Sequence, residues 1–157
     1  MKRIAWVLLA GMLCCCPAVA GAAQPAHDPA RDVFLRTIGM LAGQGIVLGH
    51  EALEGVLVRF EKGTLSREQA GRILADQARY ADWVLTVFRT RLMSRLAEQE
   101  KKDLALLIGF YELERQAIGA LTDYVKDGGA KKRRAFEELQ ERVAAIIRQI
   151  SLGGDAA

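Results

Sequence analysis

LALLIGFYELERQAIGALTDYV, residues 104–125, has the spacing of a helix buried on more than one side. At roughly 100° of turn per residue, Leu107, Phe110, Tyr111, Ala117, Ile118, Leu121, Tyr124 and Val125 form an apolar arc, which Leu106, Leu113 and Ala120 widen past a half-circle. A helix apolar over that much of its circumference needs neighbours on several sides, so the spacing predicts a central helix. Glu114 stands near the middle of the arc, one heptad after Leu107 and one before Leu121. A carboxylate there needs a partner or a proton, because an unpaired buried charge is costly.

The flanking sequence supplies the neighbours. Gly128-Gly129 closes the central helix, predicted over 98–127, and a further helix is expected over 130–152, with Phe136, Leu139, Val143, Ile146, Ile147 and Ile150 on one face. Upstream, Ser66 and Gln69 form a capping box and Leu65 a staple residue, opening a helix over 67–95. Its core line is Ala70, Ile73, Leu74, Gln77, Ala81, Val84, Phe88 and Leu92, with Gln77 the polar exception. Before it, Asp28-Pro29 supplies an N-cap and a proline for a first helix over 29–62, which Gly63 ends. The expected core face there is Phe34, Ile38, Ala42, Gly45, Gly49, Ala52, Val56 and Phe60, flanked by Leu41, Leu48 and Leu53. Its glycines at 39, 43, 45, 49 and 55 each cost up to about 1 kcal/mol relative to alanine, so something offsets them. Close approach of a neighbour, room for a ligand, and a break near Gly43-Gln44-Gly45 are the three explanations.

Neither the alternation nor the Asn-Gly turns of strands occur downstream of Pro29. The expected fold is therefore all-α, an antiparallel up-down-up-down four-helix bundle after an N-terminal signal peptide. Lys2 and Arg3, the hydrophobic run over residues 4–16 and the small residues at 17–23 describe that signal, with cleavage after Ala20 or as late as Ala23. Residues 21–28 read as a flexible leader and 153–157 as a tail. Export implies a periplasmic or secreted location, with membrane contact only during passage. Cys14, Cys15 and Cys16 all lie inside the signal, so the mature domain has no thiol or disulfide chemistry. Losing Lys2 and Arg3 lowers the net charge from +3 to +1, which removes the electrostatic basis for nucleic-acid binding.

Chain reversals near residues 64, 96 and 128 put Glu114 level with about residue 50 of the first helix, 78 of the second and 142 of the fourth. Gln77, Tyr80, Tyr111 and His50 are then the candidate partners of Glu114, and together with it the candidate ligand-binding set. A satisfied structural network at a narrow waist competes with a mid-bundle pocket as their explanation.

No cofactor is expected. His50 and Glu54 are spaced i, i+4 and Glu51 and Glu114 add carboxylates, but the two Glu-x-x-His pairs of a di-iron bundle do not occur. Neither does the Cys-x-x-Cys-His of attached haem, and Met40 or Met93 would meet His50 only across different levels of the bundle. No nucleophile–base pair marks an enzyme. Lys131, Lys132, Arg133 and Arg134 open the fourth helix and could hold an anion at its N-terminus, or be a solvated end. Val33, Met40 and Val47 recur every seven residues, with Val58 nearby, on the side of the first helix away from its expected core face. Such a strip fits a homodimer or an envelope protein partner, and Trp83 and Val87 could extend it.

Residues 65–69, LSREQ, resemble the LTxxQ signature of a periplasmic stress- and metal-sensing chaperone family, with serine in place of threonine. The capping box accounts for the same five residues, and the chain is assigned to no family on them. Two functional classes follow: a non-enzymatic exported module that binds or senses a small ligand or an envelope partner, and a structural or chaperone-like protein working through the apolar strip.

Overall fold

The computed structural model describes residues 29–154, with side chains described through 148. The expected signal peptide and leader, and residues 155–157 of the expected tail, lie outside the described residues. Four helices, α1 (Pro29–Glu61), α2 (Arg67–Val87), α3 (Glu98–Asp127) and α4 (Ala130–Gly154), form an up-down-up-down bundle. α4 continues through Gly153 and Gly154, where the sequence reading stopped at 152.

The turns follow from local chemistry. Gly63 (φ 71°) reverses the chain after α1, with the Thr64 and Leu65 amides returning to the Arg59 carbonyl at 2.9 and 3.1 Å. The capping box then opens α2: the Gln69 amide donates to Ser66 Oγ (3.1 Å) and the Ser66 amide to Gln69 Oε1 (2.8 Å). α2 does not run regularly to residue 95. It widens into a single π turn over Phe88–Leu92, with the Met93 amide reaching the Phe88 carbonyl, and tightens to a 3-10 turn over Met93–Arg95. Ala97 cannot cap α3 with its side chain, so Glu100 Oε2 accepts from the Ala97 amide at 2.6 Å. Gly128 and Gly129, at φ 72° and 95°, turn the chain into α4.

α3 packs against every other helix, most broadly against α2 and α4, and α1 leans on α3 more than on either flanking helix. The central position read from residues 104–125 is the observed one, although Leu106 faces out. The core has two halves. One gathers Leu53, Val56, Leu57, Leu74, Ala117, Ile118, Leu121 and Phe136; the other gathers Ala42, Ile46, Val84, Phe88, Leu107, Ile108, Tyr111 and Val143. On α1, α3 and α4 the residues between these halves are Gly49-His50, Glu114 and Gln140.

The expected core face of α1 needs correction. Ala42 and Val56 are buried, but Phe34, Leu41, Leu48 and Ala52 are exposed, and Ile46, Leu53 and Leu57 take the interior. Because α1 meets the bundle mainly along α3, only a narrow stripe of it is covered. The helix is unbroken through its glycines.

Candidate functional site

The waist between the two core halves is the polar layer that the sequence placed at Glu114. A side chain on Gly49 would begin 1.7 Å from Glu114 Oε1, and one on Gly45 would begin 2.7 Å from the Tyr111 hydroxyl. These two glycines let the polar ends of Tyr111 and Glu114 reach across α3 to the α1 backbone, which settles two of the five glycines by close approach. Tyr111 donates to the Ala42 carbonyl at 3.3 Å. Burial foremost, then the neighbouring Tyr80 and Glu114, push its phenol up to about 12, so it stays a neutral donor.

The expected partnership of Glu114 is not formed. Gln77, Tyr80, Tyr111 and His50 make no hydrogen bond to it, and Glu114 Oε2 is buried without a partner. Tyr111 is committed to α1, His50 turns toward α4, and Tyr80 stands exposed beside Trp83. Burial raises the Glu114 carboxyl to about 7, so protonation takes the role that a partner would have had.

Gln140 is the residue the sequence reading missed. It is 6% exposed, and its Oε1 pairs with His50 Nδ1, which donates in the Nδ1–H tautomer. His50 Nε2 lies 3.6 Å from Glu54 Oε1. Position 140 is four after Phe136 and three before Val143, on the core face of α4, and that spacing was the available signal. Gln77 Oε1, Glu114 Oε2 and Gln140 Nε2 are the buried polar side-chain atoms without a partner among the described residues. At this level the seam of α1 and α4 opens as a cleft of about 450 Å³, floored by Leu57, Phe136 and Ala144 and edged by His50, Gln140, Glu54, Glu137 and Glu141.

The basic run at the start of α4 is divided. Lys132 pairs with Asp127, and Arg133 pairs with Glu137 and, at 2.7 Å, with Glu61, which also accepts from Tyr124 at 3.1 Å. Lys131 and Arg134 remain exposed. Lys132 and Arg133 therefore tie helix ends together, which takes two of the four basic side chains away from an anion at the helix start. Among the described residues no three His, Cys, Asp or Glu side chains group to hold a metal ion.

The α1 strip is on the surface. Met40 is 76% exposed, Val33 65% and Val58 44%, with Val47 half-buried beside them. Phe34, Leu41 and Leu48 widen the strip by a second exposed line. α1 is long and apolar enough to cross a membrane by length and composition, and 11% of its apolar window is buried within the bundle. No protein-family model, curated protein or solved structure matches the chain.

Proposed function

We propose that this protein is an exported, non-enzymatic interaction module whose working surface is the outer face of α1. The observation that supports this is the double line of exposed side chains, Val33-Phe34, Met40-Leu41 and Leu48, on a helix whose opposite side is already packed. Soluble chains seldom leave so continuous an apolar surface uncovered unless it receives a partner. Charge and composition are neutral on the point, and the absence of a nucleophile–base pair in the sequence leaves binding as the work of the fold.

A second reading has its own observation. The unpaired Nε2 donor of Gln140, on the wall of the acidic cleft edged by Glu54, Glu137 and Glu141, fits a small organic cation that also carries a hydrogen-bond acceptor. Native mass spectrometry of the protein taken from its own cells separates the two. Retained mass that disappears on Met40→Glu with Leu48→Glu supports the α1 surface. A retained small molecule that survives this change and disappears on Gln140→Leu supports the waist, and overturns the first reading if it is the only mass retained.

A further inference from the structure

We infer that the partner of the outer face of α1 is a second copy of this chain, packed antiparallel about a two-fold axis near Gln44. The inference rests on the reading of α1 as the working surface, and the order of charges along the helix carries it. Residues 37–50 contain no Asp, Glu, Lys or Arg; Arg36 borders the stretch on one side and Glu51 on the other. Both are exposed, and neither has an ion-pair partner among the described residues.

In an antiparallel pair that sets Arg36 opposite Glu51 of the other copy, Met40 falls opposite Val47 and Gly43 opposite Gln44, because all three pairings reflect through one point. At roughly 100° per residue, Arg36, Glu51 and Glu54 share a flank of α1, and two-fold antiparallel packing brings like flanks together. The same ion pair then forms twice, once at each end of an uncharged seam. On the other flank the same reflection brings Leu41 within two residues of the level of Leu48 of the other copy, so these two exposed side chains pack across the seam. A parallel pair would instead oppose Arg36 to Arg36 and Glu51 to Glu51, which like-charge repulsion disfavours.

Sedimentation equilibrium of the full chain in detergent-free solution tests the assignment. The parent should be a reversible dimer, and Arg36→Glu or Glu51→Arg alone should raise its Kd about tenfold or more, since each sets like charges opposite one another. Arg36→Glu combined with Glu51→Arg should recover most of the loss. Under oxidation Gln44→Cys should link to its own copy while Met40→Cys should not, as read by mass spectrometry of the linked peptides. A monomeric parent, a dimer indifferent to both reversals, or ready self-linking of Met40→Cys would overturn it. A monomer that still retains a different partner, lost on Met40→Glu with Leu48→Glu, overturns the second copy and keeps the α1 surface. A monomer that binds vesicles and nothing else overturns the second copy and assigns the surface to lipid.

Discussion

α1 and α3 are the two longest helices and lie side by side, yet they use their apolar residues in opposite ways. α3 buries ten residues, Glu114 among them, while the longer α1 buries five and leaves Val33, Phe34, Met40, Leu41, Leu48 and Val58 exposed. α3 is enclosed because α2 and α4 flank it and α1 covers a further side. α1 has one broad neighbour and so has one covered stripe. Apolar composition therefore explains burial on α3 and does not on α1, where it points outside the chain.

The largest expected effect tests that contrast directly. Leu121→Ala on α3 removes a fully buried side chain from the core half around Phe136 and should destabilise the fold by about 2–5 kcal/mol. Met40→Ala on α1 removes a side chain of similar size from the surface and should change monomer stability by less than about 0.5 kcal/mol. Urea unfolding at low protein concentration measures both. Comparable losses would mean that the outer face of α1 is packed within the chain, and the comparison would break.

The difference also explains what was legible in the sequence. α3 carries a wide arc with one polar intruder, so its central place and the level of the waist could be read from periodicity alone. The capping box at Ser66 and the glycines at 63, 128 and 129 made the turns equally legible. α1 is apolar around most of its circumference, and a pattern without a polar side cannot say which stripe faces inward. The periodicity therefore points Phe34 inward and passes over Ile46, whereas Phe34 is exposed and Ile46 buried. At the waist, Glu114 could be seen as buried, but whether it would be paired depends on side-chain directions. Those sent His50 to Gln140 and Tyr111 to the Ala42 carbonyl.

The Glu114 carboxyl sharpens the comparison through pH. Its pKa rises on folding from the ordinary glutamate range to about 7, because burial disfavours the charged form. Between these values the folded state holds a proton that the unfolded chain has released, so stability falls as pH rises and levels off above about 7. At about 1.4 kcal/mol per pKa unit the loss approaches about 3 kcal/mol. Glu114→Gln should remove this dependence and make the variant more stable than the parent at pH 8. Glu114→Leu leaves no hydrogen-bond partner behind and should do the same. Denaturant melts at pH 5 and pH 8 provide the check, and a parent whose stability is flat across that range would show the carboxylate to be paired or hydrated.

The smallest effects concern glycines, one on each helix. Gly109 on α3 is exposed, and a side chain there would meet nothing within 4 Å, so Gly109→Ala should stabilise the fold by about 0.5–1 kcal/mol through helix propensity alone. Gly49 on α1 has the same propensity to gain and a different neighbour. Its new Cβ would lie 1.7 Å from Oε1 and 2.8 Å from Cδ of Glu114, so the carboxyl must leave its place between the two core halves. Overpacking of this kind costs about 1–3 kcal/mol, which exceeds the propensity gain, and Gly49→Ala should be destabilising. Placed in a Glu114→Ala background, where nothing occupies that space, the same substitution should turn neutral or favourable. The change of sign between backgrounds is the readout, since propensity cannot produce it. Equal stabilisation by alanine at 49 and at 109 would mean that the Glu114 carboxyl does not rest on α1, and that the waist owes its glycine to something other than α3.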